Sequence, residues 1–344
     1  MRRLKHDDPE RGVIAPLTAI LMVAMLGMAA FAVDVATMYS EHSQLQNGAD
    51  SAALAIAESC AKTPTAASCT APMSYATGFA NGNALDGHTN VLSAAVSAGT
   101  VNVTTQAQDS SGNNHFSLVF ARVLGIQVTD IQASAEATFG GYSRGNVLPL
   151  SFSHCESDPG FTKGLQFFPE HGNALADDPD YECITTSSSG LEVPGGFGWL
   201  DHDPGVCNVT VDILNPWVGT NTGQNYDSDC ASTLNKWGAI LADPSKTVDI
   251  LVPIFDDVRG TGAGAEFHIE AFAQISLRGW NLKGGSSLPG DFMTAEATTL
   301  SKSLKLKNSD NGIFGRFIKK VTLAEAATMG GPTTYGALGV QLSK

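Results

Sequence analysis

Two short stretches bring acidic groups, or acidic and imidazole groups, close enough together to do chemistry. Asp201, His202, Asp203 and Gly205 stand in "DHDPG", which hints at a Ca2+ loop. A calcium-binding EF loop needs Asp or Asn at its first, third and fifth positions, Gly at the sixth and Glu at the twelfth. Here the fifth is Gly205, the sixth Val206 and the twelfth Asp212, so the stretch reads as a turn. Asp256 and Asp257 could act as general acid and base. With no partnered His or defined cleft, they read as a solvated pair at a strand end. The eight His residues are scattered, with no H-E-x-x-H, and there is no G-x-S-x-G elbow. "GTGAGA" (260–265) lacks the Lys-Ser/Thr of a phosphate-binding loop. No catalytic constellation, cofactor or metal is expected.

Cysteine chemistry is the exception. Cys60, Cys69, Cys155, Cys183, Cys207 and Cys230 form no C-x-x-C and have no His at zinc-finger spacing. An even count, all after the long apolar run described below, favours disulfides of an exported protein. Six cysteines allow 15 connectivities. Near-neighbour pairing (60–69, 155–183, 207–230) is the simplest of them.

The net charge of −14 is uneven. Residues 1–12 carry Arg2, Arg3, Lys5 and Arg11 against Asp7, Asp8 and Glu10, which leaves −15 for the rest of the chain. An acidic body repels phosphate backbones, so nucleic acid is not an expected partner. The tail from Ser301 runs the other way and reads as a solvated basic face.

Val13 to Val33 is 21 residues without a charge, about 31 Å as a helix and enough to cross a bilayer core. Pro16 is expected in its first turn. Basic residues before the run place the N-terminus in the cytoplasm and the bulk of the chain outside, as a single-pass membrane protein. Ala30, Phe31 and Ala32 also spell a signal-peptidase site, but the run is longer than a usual signal core of roughly 7 to 15 residues. The helical pattern then continues. Val35, Met38, Leu45, Ala49, Ala52, Ala53, Ile56 and Ala57 recur at helical spacing, with Pro64 marking the end. Val13 to about Cys60 therefore reads as one rod of about 70 Å, half in lipid and half projecting as a stalk. Asp34 marks the outer edge of the span. It is either an interfacial residue reaching water or a contact with a partner membrane helix.

The run from "RGVIAPLTAIL" through "AVDVATMYSEHSQLQNGADSAALA" resembles the N-terminal segment of TadE/TadG-like Flp (Tad) pilus-assembly proteins. The matching positions are Arg11, Gly12, Ala32, Val33, Asp34, Tyr39, Gln44, Leu45, Gln46, Asn47, Ala49, Asp50, Ala52, Ala53, Leu54 and Ala55. The resemblance implies a bitopic envelope protein of a pilus machine and implies no enzymatic activity. The fifth residue after Gly12 is Leu17 instead of Glu, so prepilin processing is not expected and the TadG-like branch fits better. No D-x-S-x-S loop is present, so no von Willebrand A domain or its Mg2+ is expected. The surface expected to meet partners at the membrane edge and along the stalk is Asp34, Tyr39, Gln44, Leu45, Asn47 and Asp50.

Beyond the stalk (34–61), residues 62–90 read as a connector. Val101, Val103, Thr105 and Ala107 alternate as a half-buried strand. "HFSLVFARVLG" offers a short helix closed by Gly125, and a strand follows through Val128 to Phe139. This strand-helix-strand module ends near residue 140, and "GGYSRGN" separates it from a mostly β domain over 147–344. Strands are expected there at Val147–Phe152, Val206–Ile213, Thr247–Phe255, Phe267–Leu277 and Tyr335–Leu342. "GGFGWLD" within it is similar to a segment of TadG-like proteins. The fold class is α+β. The expected function is assembly, anchoring or presentation of a Tad/Flp-type pilus by protein–protein binding, with pilins or other Tad membrane proteins as partners. The alternative is a membrane-anchored adhesin or a cell-wall-interacting protein.

Overall fold

The structure is a computed structural model describing residues 11–170, 183–186, 190, 192–221, 228–261, 264–282, 292–323 and 328–343. It divides into two compact units, one built from residues up to 59, 65–137 and the last three, the other from 60–64 and 138–341.

In the first unit a single helix α1 runs from Arg11 to Lys62. It is long and apolar enough to cross a membrane. It begins before Val13, so Pro16 lies inside the helix and not at its first turn. A missing N–H there is tolerated in a membrane helix, where local adjustment re-satisfies the freed carbonyl. From Ile14 to Val33 every residue is exposed except half-buried Ala30. Past that point the character changes. Leu45, Ala49, Ala52, Ala53, Ile56 and Ala57 are fully buried along one face, as the helical spacing of apolar residues requires.

That face is covered by elements of the same unit. The expected connector contains two helices, α2 (Ala67–Thr70) and α3 (Pro72–Asn83). Pro72 opens α3 where its missing N–H costs nothing. β1 (Thr89–Ser97) and β2 (Thr100–Ala107) form an antiparallel hairpin. Its two turn residues, Ala98 and Gly99, both have positive φ, the turn geometry that matches strand twist. Val101, Val103, Thr105 and Ala107 are buried, as the alternation predicted. The expected helix at 116–124 is instead a small hairpin, β3 (Phe116–Ser117) with β4 (Val128–Thr129), enclosing one 3-10 turn at Ala121–Leu124. Gly125 does cap that turn, at φ +88°.

β5 (Gln132–Val147) begins later than expected and runs straight through "GGYSRGN", where a boundary was expected. Its first half buries Ala133, Ala135 and Ala137 in the first unit. Its second half belongs to the other unit, together with β6 (Leu150–Ser153), β7 (Gln166–Pro169), β8 (Ile184–Thr186), β9 (Glu192–Pro194), β10 (Phe197–Leu200), β11 (Val209–Asp212) and β12 (Trp217–Asn221). The helix α4 (Ala231–Leu241) follows, then β13 (Val248–Arg259), β14 (Glu266–Asn281), β15 (Phe292–Met293) and α5 (Ala295–Ser303). The chain closes with β16 (Gly312–Phe317), β17 (Lys320–Leu323), β18 (Thr328–Gly331) and β19 (Ala337–Leu342).

Among the described residues the main sheet has the order β12-β10-β6-β13-β14-β16-β7. Its centre is the long antiparallel β13–β14 pair, and β6 joins β13 in parallel. Ile250, Val252, Ile254, Ala271, Ala273 and Ile275 serve one face of that pair, with Leu234 and Leu241 of α4 in the same cluster. Phe255, Phe267, Ile269 and Phe272 serve the other face, against Tyr142, Val147, Val211 and Ala337. The switch of faces coincides with the register shifts at Ile254/Phe255 and Phe255/Asp257, because a bulge re-aims the side chains that follow it. The opposing layer is the second half of β5 with β11 and β18 antiparallel to it, and β17 parallel to β19. A sheet buried on both sides needs near-continuous apolar strands, which the middle of β13 (250–255) and of β14 (271–277) supplies. Disulfides Cys155–Cys183 and Cys207–Cys230 close loops of this unit, and Cys60 and Cys69 are oxidised as well.

Candidate functional site

Asp34 sits directly after the uncharged run and is only 3% exposed. Its carboxylate accepts hydrogen bonds from the backbone N–H groups of Val119 (2.9 Å), Phe120 (3.0 Å) and Ala121 (2.6 Å). These donors lead into the 3-10 turn at Ala121–Leu124, whose first N–H groups have no partner within the turn. Burial raises the carboxyl pKa, but the three amides, with Arg122 nearby, outweigh that effect and hold Asp34 below the ordinary carboxylate range. Neither reading of Asp34 from the sequence included this partner. The side chain neither reaches to water nor stands open to a second helix; it clamps a loop of its own chain.

The other stalk residues divide by direction. Leu45 is buried in a cluster with Ala107, Ile131 and Ala133, and its backbone carbonyl accepts from the Thr105 hydroxyl at 3.0 Å. Gln44 accepts from the Leu85 N–H at 2.6 Å through its side-chain oxygen. Asp50 accepts from Gln46, whose amide also reaches the Ser134 carbonyl. Gly48 lies against α3 so closely that a Cβ there would meet the Ala80 Cα at 3.1 Å. Much of "QLQNGAD" is therefore occupied in building its own unit. Tyr39, 75% exposed, and Asn47 are the positions that face outward.

The second unit gathers polar groups that looked scattered in the sequence. On β14, His268 and Glu270 lie two residues apart, at the register shift against β13. Glu270 accepts from the Tyr335 hydroxyl at 2.8 Å and contacts His154 Nδ1, which is itself 3.0 Å from that hydroxyl. Burial, and then the Glu270 carboxylate, push the Tyr335 phenol well above its ordinary pKa. His268 pairs with Asp256 at 2.5 Å and meets the Trp217 ring edge-on, and Arg259 lies over that ring. The expected solvated pair is thus split, since Asp257 is buried and its carboxylate accepts from the Val258 N–H. The i, i+2 spacing of His268 and Glu270 was legible; their partners on other strands were not. Among the described residues no three His, Cys, Asp or Glu side chains are grouped to hold a metal ion. In "DHDPG" the Gly205 N–H donates to Asp229 at 2.6 Å and Gly205 has φ +82°, which is a turn. Part of "GTGAGA" lies outside the described residues.

No curated protein and no solved structure matches the chain. A family model does match, over residues 12–58, and it falls on α1 from just after its start, through the apolar run and Asp34, to the end of the buried stripe. The similarity to the Flp pilus-assembly TadE/G-like family is thus confined to α1.

Proposed function

We infer that this is a single-pass envelope protein that assists assembly, anchoring or presentation of a Tad/Flp-type pilus, and that it acts by binding and not by turnover. One observation carries the reading: the family match coincides with the helix that is apolar enough to cross a membrane. The outward-facing residues Tyr39 and Asn47 are the places on the stalk where a pilin or another membrane protein of the machine would dock. Arg11 and the basic segment before it support an orientation with the N-terminus in the cytoplasm.

The test is a gene deletion in the native host, combined with a photo-crosslinking residue at Tyr39 or Asn47. The expected result is loss of surface pili and capture of a Tad component at one of these positions. Intact pili with lost surface attachment would overturn the assembly reading in favour of an adhesin.

A further inference from the structure

The segment Phe116–Thr129, "FSLVFARVLGIQVT", has a single charge, Arg122. Its ends are tied by the β3–β4 pairing and by the Leu118 N–H donating to the Gln127 carbonyl at 3.0 Å. Leu118 tucks inward and Phe116 is half-buried. Val119, Phe120, Val123, Leu124, Ile126 and Val128 all face outward, Val123 at 85% and Leu124 at 82% exposure. Six apolar side chains in a stretch of ten, left open on a tied loop, need a partner.

Asp34 identifies which one. The 21-residue uncharged run is about as long as a hydrocarbon core is thick, roughly 30 Å, so Asp34 stands at the boundary where α1 leaves it. The loop is hydrogen-bonded to that residue. Its direction follows from two more contacts. Phe116 and Met38 both pack on the Leu45 cluster, further along α1, and three residues later the chain reaches Asp34. The loop therefore runs toward the span as it approaches its tip. Ala30, one turn below Asp34 on the same face, is half-buried, unlike every other residue from Ile14 to Val33.

We propose that the Val119–Val128 loop inserts into the leaflet from which α1 emerges, as a second, shallow membrane contact clamped to the span by Asp34. Val123, Leu124 and Ile126 enter the acyl boundary, at the depth of interfacial elements, roughly 5 to 10 Å. Arg122, whose Nε donates to the Leu118 carbonyl at 3.0 Å, keeps the outer end of its guanidinium for lipid phosphate. The backbone amides nearest the span, which could not be left bare in hydrocarbon, are satisfied by the Asp34 carboxylate. This fixes the rotation and height of the first unit on the membrane, which a lone helix does not do.

The proposal rests on α1 spanning the bilayer, and the experiment separates the two. The full chain, with its native cysteines oxidised, is placed in phosphatidylcholine–phosphatidylglycerol nanodiscs. Single nitroxide labels are attached at Val123→Cys, Leu124→Cys, Met22→Cys and Ser111→Cys, and collision with oxygen and with a water-soluble nickel chelate is measured. The expected result is oxygen access with several-fold lower nickel access at Val123 and Leu124 than at Ser111, and a deeper signal of the same kind at Met22. Nickel access at both loop positions equal to that at Ser111 overturns the loop insertion alone. Exclusion of both probes there overturns it in favour of a protein partner. Nickel access at Met22 overturns the span, and the insertion with it.

Discussion

A carboxylate in the middle of a long helix ordinarily faces water, and Asp34 does not. It holds three backbone amides of a loop 85 to 87 residues further along the chain. Because these bonds need the ionised form, the folded-state pKa lies below the ordinary value. The resulting stabilisation is fully present above the unfolded pKa and is lost as pH falls through the folded one. Amide exchange at Val119, Phe120 and Ala121, corrected for intrinsic rates, is expected to stay protected from neutrality down to about pH 4 and to open below it. In Asp34→Asn the same amides should exchange about tenfold faster or more at neutral pH, with the acid-dependent step gone. A step that persists in the variant would mean another group controls the loop. Nothing in the types or spacing of residues near Asp34 named that partner. What could be read was that a buried or membrane-edge carboxylate needs one.

At the scale of elements, α1 was legible because its composition and period are local properties. The two helices that follow it were not, because their Ala residues are interrupted by Ser, Thr, Asn and Gly, which are poor helix formers, and α3 is held by its packing. Gly48 is the clearest case. Its missing Cβ lets α3 approach within van der Waals distance of the α1 backbone. Gly48→Leu should overpack that crossing and destabilise the first unit by about 1 to 3 kcal/mol. Gly48→Ala should be close to neutral, since a contact of 3.1 Å offsets the gain in helix propensity. Denaturation followed by helical circular dichroism reads both. The converse error occurred at residues 116–124, where apolar residues at helical spacing form a hairpin. That spacing produces a helix only when a surface is available to bury the stripe, and here Asp34 takes the amide donors while the side chains turn outward. At 140–146 a Gly-rich stretch stands where the boundary between the small module and the β domain was expected. It is strand because Gly141 and Gly331 allow β5 and β18 to approach closely; a Cβ at Gly141 would lie 2.1 Å from the Pro332 carbonyl oxygen.

For the molecule as a whole, the two units draw on different sources of stability. The first packs small residues of α1 against a sheet, and the second builds a large aromatic core that includes Phe152, Phe168, Phe197 and Trp280. The second also carries Cys155–Cys183 and Cys207–Cys230, which span 28 and 23 residues. Loops of that length constrain the unfolded chain by roughly 3 kcal/mol each in the chain-entropy account. Replacing Cys207 and Cys230 by Ser should therefore lower the unfolding free energy of this unit by about that amount. All four tryptophans lie in it, so their fluorescence reports its unfolding by urea. A loss well under about 1 kcal/mol would show that the unfolded segment stays compact without the bond.

The sequence by itself determined the helix long and apolar enough to cross a membrane, the family-matched segment within it, the oxidised cysteines and the two central strands. Each of these is written in composition, period or the chemistry of one residue type. Only the tertiary structure decided that Asp34 meets Val119–Ala121, that Gly48 meets Ala80, and that His154, Glu270 and Tyr335 converge. The physical reason is the same in each case. A side chain's type states what it needs, an acceptor, a donor or room, but the group that meets the need is chosen by burial and close packing between segments far apart in the chain, and no local pattern records that choice.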